Sequence, residues 1–182
     1  MKIAVYCSAK DCIPNEYLAL GDTLGTWIGK AGHTLVYGGA TGGLMTRVSN
    51  AAKTAGAVVE GVIPQRIILA KRMADNCNTL YTVANMSERK QKMREIADCF
   101  VCLPGSYGTM DEMMDVIASG TVGEHHKPVF ILNYQGFYEG LKLLTTHMRE
   151  LAFLPQVEQY APIFVDTIDE LIQQLGIYDK NA

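Results

Sequence analysis

The stretch "TLVYGGATGGLM", residues 34–45, joins a short apolar run to a glycine-rich turn and then to the start of a helix pattern. Residues 34–37 have the β-branched and aromatic composition that is typical of a buried strand. The helix pattern that follows begins at about Met45 and ends at Lys53. A buried strand that leads directly into a helix is the repeating unit of parallel α/β sheets.

The same alternation extends in both directions along the chain. Further strands are predicted at residues 2–8, 57–64, 79–84, 99–105, 127–134 and 161–167, and further helices at 17–28, 86–98, 109–120, 137–152 and 168–176. Residues 65–78 are predicted to be a partly helical loop over a crevice. The pattern indicates one α/β domain over residues 1–182, with a Rossmann-like, doubly wound, mostly parallel sheet and helices on both faces.

Composition excludes several classes of protein. The chain has 182 residues, of which 48% are hydrophobic and 19% charged, as expected of a folded domain. A net charge of −3 without a long basic run argues against nucleic acid as a main partner. No apolar stretch is long enough to cross a bilayer, so no membrane association is expected.

Cysteines and histidines give no sign of a metal site. Five scattered cysteines fit a cytoplasmic protein. The motif "CFVC" at 99–102 lies in a strand-like run, where residues three apart face opposite sides, so small core residues are favoured over metal ligands. His33, His125, His126 and His147 are isolated or lie in loops, and a surface position is expected for each. No metal and no cofactor are predicted.

Two glycine-rich turns follow strands, where ligands bind in doubly wound sheets. The first turn carries Gly38, Gly39, Gly42 and Gly43, but it matches neither the dinucleotide motif nor the P-loop. A phosphate site at the start of the next helix and a tight structural turn are both compatible with it.

The second turn is "LPGSYGTMDE", residues 103–112. Thr109 and Glu112 match a helix capping box, and Ser106 and Thr109 also offer hydroxyls to a phosphate. Met110, Met113, Met114 and Ile117 are predicted to form the apolar face of the helix. Glu112 lies away from that face and is predicted to project toward the crevice.

Arg89 falls on the core-facing stripe of the helix "MSERKQKMREIAD", residues 86–98. Because an unpaired buried charge is costly, Arg89 requires a carboxylate or a ligand phosphate as its partner, unless its side chain extends out to solvent.

The motifs "YGGATGGLM", "MSERKQKM" and "PGSYGTMDE", in this order and spacing, resemble the LONELY GUY family of cytokinin-activating phosphoribohydrolases, also described as lysine decarboxylase-like. The resemblance runs from about Ile3 to Val165. It implies a homodimer that cleaves the N-glycosidic bond of AMP or N6-modified AMP, releasing the base and ribose 5-phosphate. It implies that Arg89 and Glu112 are catalytic. The substrate-binding residues that it implies are Ser8, Gly39, Gly42, Gly43, Met86, Lys90, Gly105, Ser106, Tyr107, Gly108, Thr109 and Asp111.

Several positions depart from the family pattern. Ser106 and Ser87 replace a glycine and a histidine of the motifs, and Lys71 and Ala118 stand where the family usually has glutamate and threonine. The catalytic pair is retained while parts of the substrate shell differ, so the reaction class is better supported than the substrate. The alternative function is a non-catalytic carrier of a nucleotide or of the molybdenum cofactor.

Overall fold

A computed structural model describes residues 1–154 and 160–181. Within these residues, seven strands form one sheet in the order β4-β3-β2-β1-β5-β6-β7, and all neighbouring strands are parallel. The strands are β1 (Lys2–Tyr6), β2 (Thr34–Tyr37), β3 (Val58–Pro64), β4 (Thr79–Val83), β5 (Cys99–Cys102), β6 (Val129–Leu132) and β7 (Ile163–Val165). The Rossmann-like α/β fold predicted from the sequence is confirmed.

A helix follows each strand along the described chain. The helices are α1 (Asn15–Lys30), α2 (Gly43–Thr54), α3 (Gln65–Leu69), α4 (Met86–Ile96), α5 (Tyr107–Thr121), α6 (Glu139–Glu150) and α7 (Ile168–Asn181). The segment at 65–78 is partly helical, as predicted, because α3 occupies its first residues. None of the described helices is long and apolar enough to cross a membrane.

The two faces of the sheet carry separate hydrophobic cores. Leu24 of α1, Val48 of α2 and Leu171 of α7 belong to one core. Met93 of α4 and Met113 of α5 belong to the other. Cys99 lies in the first core and Cys102 in the second, which confirms that "CFVC" is a strand whose thiols face opposite sides.

The strand order reverses at β1, which lies between β2 and β5. The loops that follow β1 and β5 are therefore neighbours: the Leu103 amide donates to the Tyr6 carbonyl at 2.9 Å, and the Ser8 amide donates to the Pro104 carbonyl at 3.3 Å. In doubly wound sheets a crevice opens beyond the strand ends at such a reversal. The second glycine-rich turn lies at this crevice.

The expected surface position is wrong for two of the four histidines. His33 is 6% exposed and packs its ring against Trp27, with ring centroids 5.1 Å apart. His125 is 9% exposed, and its Nε2 lies 2.9 Å from the Val116 carbonyl oxygen. Both residues precede strands in loops, where no periodicity shows which way a side chain points. Each is buried because the loop folds back on the helix that precedes it, α1 for His33 and α5 for His125.

Candidate active site

Arg89 lies on the inner side of α4. This helix begins after Asn85, whose side chain accepts a hydrogen bond from the Glu88 amide at 3.0 Å and so fixes the first turn. Arg89 is one turn further on and is 7% exposed. Its guanidinium passes over Gly38, at the end of β2, where any Cβ atom would overlap Nη2. The predicted inward position of Arg89 is confirmed.

Glu112 is the carboxylate partner of Arg89. Nη2 of Arg89 lies 3.0 Å from Oε1 of Glu112, and the two side chains are 9% and 3% exposed. The prediction that Glu112 points away from the sheet is wrong. The buried side of α5 consists of Thr109, Glu112, Met113, Val116 and Gly120, whereas Met114 is 45% exposed. Because methionines lie on both the buried and the exposed sides of α5, hydrophobic spacing alone does not identify the buried side.

Three polar atoms around this ion pair have no hydrogen-bond partner among the residues that the structure describes. They are Nε of Arg89, Oε1 of Glu112 and the hydroxyl of Tyr6. The 3.0 Å contact to Oε1 is thus an ion pair without an aligned hydrogen bond. Nη1 of Arg89 lies 3.7 Å from the Met86 sulfur, a weak acceptor. Two donors and one acceptor therefore remain for another molecule.

Burial sets the electrostatics of the pair. Burial raises the pKa of the Glu112 carboxyl above its ordinary value, while the nearby charge of Arg89 opposes the rise. Carboxyl groups with raised pKa values, held beside a specific charge partner, are frequent at active sites.

Lys90 and Asp111 lie on the outer edge of the same helix pair. Nζ of Lys90 lies 2.9 Å from Asp111 and 3.3 Å from Asp115, so the lysine connects α4 to α5. The hydrogen bond to Asp111 raises the pKa of Lys90. Both predicted binding residues are therefore engaged with each other.

The start of α5 offers free backbone donors. The helix begins at Tyr107 and not at Thr109, so the predicted capping box does not form. Ser106 occupies the N-cap position without a side-chain hydrogen bond to the helix, and the first backbone bond runs from the Met110 amide to the Ser106 carbonyl at 3.0 Å. The preceding amides at 107–109 have no partner among the described residues. Such amides bind anions at helix N-termini.

The start of α2 differs, because its amides are occupied by the chain itself. The Gly43 amide donates to the Asp11 carboxylate and the Gly42 amide donates to Thr46 Oγ1, each at 2.7 Å. A Cβ atom at Gly42 or Gly43 would overlap the carbonyl oxygens of the loop after β1. The glycines of this turn therefore allow close packing against the loop after β1. The anion at the start of α2 is a carboxylate of the protein itself, that of Asp11.

Two cavities flank Ser106 at the crevice. One, of about 310 Å³, is lined mainly by apolar side chains, including Ile13, Tyr17 and Phe137, together with Ser8 and Gly105. The other, of about 780 Å³, is polar and includes Lys10 and Arg72. Neither cavity is lined by Arg89 or Glu112, which lie beneath the loops on the α4–α5 side of the sheet.

Three further polar residues of this region, Tyr6, Lys10 and Arg72, are not among the residues predicted from the sequence. Tyr6 is the last residue of β1, and a polar group at the carboxyl end of a central strand is the signal that identifies it. Lys10 and Arg72 come together only through the loops after β1 and α3, which no local pattern predicts.

Comparison with known proteins places the chain in a family. The family described as "Possible lysine decarboxylase" matches residues 45–175. A cytokinin riboside 5′-monophosphate phosphoribohydrolase of Mycobacterium marinum is 34% identical over 94% of this chain and 91% of that protein. The chain belongs to the LONELY GUY family. A rice member, the cytokinin riboside 5′-monophosphate phosphoribohydrolase LOG, is 34% identical over 97% of this chain and 73% of that protein.

Solved structures show that the LONELY GUY chain shares its fold with more distant proteins. The molybdenum cofactor carrier protein of Chlamydomonas reinhardtii superposes with a TM-score of 0.75 at 20% identity, over 100% of this chain and 98% of that one. The molybdenum cofactor binding protein of Rippkaea orientalis gives a TM-score of 0.73 at 17% identity, over 97% and 96%. Because these two proteins are only 17% and 20% identical to this chain, the comparison shows a shared fold alone.

Proposed function

We propose that this protein is a nucleoside 5′-monophosphate phosphoribohydrolase that cleaves AMP or N6-modified AMP to the free base and ribose 5-phosphate. The observation that carries the proposal is the buried Arg89–Glu112 pair, which retains unpaired polar atoms. Membership of a family whose curated members are named as phosphoribohydrolases supports the reaction class.

The residue types suit cleavage of an N-glycosidic bond. As the bond from C1′ to the base nitrogen breaks, the base takes the electron pair and positive charge develops on the ribose ring. The carboxylate of Glu112 stabilises that charge, and water adds its oxygen to C1′ while a proton passes to the departing base. Arg89 favours the ionised form of Glu112 that this role requires.

The start of α5 suits the 5′-phosphate. The amides at 107–109 and the exposed Ser106 hydroxyl are donors without a partner among the described residues, next to the positive end of the helix dipole. The polar cavity beside Ser106 is lined by two cations, Lys10 and Arg72, and one carboxylate, Asp11, which leaves an excess of positive charge. The apolar cavity on the other side of Ser106 offers a surface for a base.

Incubation with AMP and N6-isopentenyl-AMP, followed by chromatographic detection of the free base, tests the proposal. Glu112→Gln keeps the length of the side chain but removes its charge, and we expect it to bind nucleotide while losing turnover. Glu95→Gln, at an exposed position of α4, is the matched control. Arg89→Gln is expected to damage both affinity and rate, with the exposed Arg47→Gln as its control.

The same experiment separates the enzyme from a carrier. The carrier function is favoured if the protein binds one nucleoside monophosphate of a panel tightly but releases no base from any of them. Normal turnover in Glu112→Gln overturns the assigned role of the carboxylate.

A homodimer and a cytoplasmic location complete the proposal. Leu143, Leu144 and Met148 of α6 are between 37% and 62% exposed, as is common for apolar side chains that a second subunit covers. All five cysteines are free thiols, which suits a reducing compartment. Light scattering coupled to gel filtration tests the dimer.

A further inference from the structure

Tyr6 combines complete burial with a hydroxyl group that has no partner. The side chain is 1% exposed, and its hydroxyl is unpaired among the residues that the structure describes. Other buried tyrosines are satisfied: the hydroxyl of Tyr138 donates to the Leu103 carbonyl at 3.0 Å, and that of Tyr37 donates to Asn76 at 3.1 Å. A phenylalanine would fill the same space without an unpaired polar group, so the hydroxyl requires an explanation.

The fold places Tyr6 on the same side of the sheet as the ion pair. Tyr6 ends β1 and pairs in register with Cys102 of β5. On the other side, the pairing of Ala4 with Val36 of β2 puts Gly38 at the level of Tyr6. Its ring belongs to the core under α4 and α5 and stacks on Phe100, with centroids 6.1 Å apart. Arg89 reaches this region from α4, over Gly38, and Glu112 reaches it from α5.

The unpaired atoms are complementary. The phenol of Tyr6 and Nε of Arg89 are donors, and Oε1 of Glu112 is an acceptor. Burial raises the pKa of the Tyr6 phenol, and the charge of Glu112 raises it further. The hydroxyl therefore stays protonated and able to donate a hydrogen bond.

We propose that Tyr6 is a positioning residue for Glu112: a water molecule bridges its hydroxyl to the carboxylate and holds that carboxylate in the orientation needed for hydrolysis. Buried waters make such bridges between polar groups that would otherwise lack partners. The role in hydrolysis rests on the proposed function, whereas the bridge itself does not.

Tyr6→Phe tests the proposal, because it removes one oxygen and preserves the ring that stacks on Phe100. We expect kcat for AMP to fall about tenfold, which is less than the loss typical of a catalytic acid–base group itself, because Tyr6 acts only through the orientation of Glu112. KM should change less than about twofold. Tyr37→Phe, which removes a buried hydroxyl on the opposite face of the sheet, is the control and should retain the kcat of the parent. Unchanged kcat in Tyr6→Phe overturns the proposal.

A titration that needs no activity provides the second readout. With ¹³C-labelled glutamate, the Glu112 carboxyl resonance is identified by its absence in Glu112→Gln. Loss of the bridging donor in Tyr6→Phe should raise the Glu112 pKa further, because the ionised form loses a hydrogen bond. The other groups that act on Glu112 stay the same, namely Arg89, Lys90, Asp111, Asp115, Cys7 and Cys102. An unaltered titration overturns the bridge.

The outcomes distinguish the two proposals. If the parent protein releases no base from AMP, the proposed function fails, and the carboxyl titration still decides whether Tyr6 acts on Glu112. If Tyr6→Phe does not fold, the Tyr6 Cζ resonance of [¹³Cζ]tyrosine-labelled protein is compared with and without Glu112→Asp, which keeps the negative charge but withdraws the acceptor oxygen. A shift of that resonance supports the bridge, and an unchanged position overturns it.

Discussion

The guanidinium of Arg89 occupies the space that a side chain at residue 38 would fill. Gly38 directly follows β2, whereas Arg89 lies far along the chain, on α4. A Cβ atom at residue 38 would overlap Nη2, the nitrogen that faces Glu112. Glycine at this position is therefore part of the ion-pair geometry, although Gly38 has no side chain and takes no part in chemistry.

Gly38→Ala should displace Arg89. The new methyl group and the guanidinium cannot share the space, so we expect the ion pair to break. The free energy of unfolding should fall by about 3 kcal/mol, within the range for removing one partner of a buried pair. We expect kcat/KM for AMP to fall on the order of 100-fold, the scale for loss of a charge-stabilising group. Denaturant unfolding and steady-state kinetics measure the two effects.

Gly176→Ala is the matched control for that substitution. Gly176 lies within α7, and an added Cβ atom would meet nothing within 4 Å. We expect unchanged kinetics and a stability equal to the parent or greater, since alanine favours helix. If Gly38→Ala behaves like Gly176→Ala, the close approach of Arg89 is disproved.

The raised pKa of Glu112 should appear in the pH dependence of activity. Catalysis needs the carboxylate, so kcat should fall on acidification with a midpoint above the ordinary pKa of glutamate. Burial is the cause of the shift, and Arg89 limits it. A pH profile of kcat for AMP measures the midpoint. A midpoint at or below the ordinary glutamate value contradicts the expectation.

The raised pKa of Glu112 should also make the stability of the protein depend on pH, but stability should fall as pH rises, whereas kcat falls as pH is lowered. Because the folded-state pKa is raised, the stability contributed by protonated Glu112 is present at low pH and is lost as pH rises through the folded-state value. The free energy of unfolding of Glu112→Gln relative to the parent should therefore increase with pH across that window. Urea titrations at a series of pH values test this, and a difference independent of pH would show that the pKa is not raised.

Asp11→Ala should weaken the start of α2. The Asp11 carboxylate accepts from the Gly43 amide at 2.7 Å and acts as an anion at the positive end of the helix dipole. We expect a loss of about 1 kcal/mol in the free energy of unfolding, the usual cost of removing a helix cap. Asp75→Ala, at an exposed position, is the control. Equal stability of the two variants would count against the cap.

His125 should make the protein sensitive to mild acid. Burial lowers the pKa of His125, while its contact with the Val116 carbonyl opposes the change. Its contribution to stability is present above the ordinary histidine pKa and is lost as pH falls toward the lower folded-state value. Between about pH 7 and 5 the parent should lose more unfolding free energy than His125→Gln does. His126→Gln, at the exposed neighbour, should behave like the parent.

Much of the fold follows from local patterns. The apolar runs and the helix periodicity predict the alternation of strands and helices, because a parallel sheet covered on both faces requires continuous apolar strands. The inward position of Arg89 also follows from spacing along one helix. The S/T-x-x-E pattern at Thr109 does not locate the first residue of α5, because the same pattern is compatible with a cap and with a helix interior.

The sequence by itself determined the α/β architecture, the family and the identity of the candidate catalytic pair, because each of these is carried by residues close together in the chain or by motifs in a fixed order. Only the tertiary structure decided that Glu112 is buried against Arg89, that Asp11 occupies the start of α2 and that the hydroxyl of Tyr6 is buried without a partner among the described residues. These contacts join residues from different strands and helices. Their distances depend on how the sheet and its covering helices pack, which spacing along the chain does not specify.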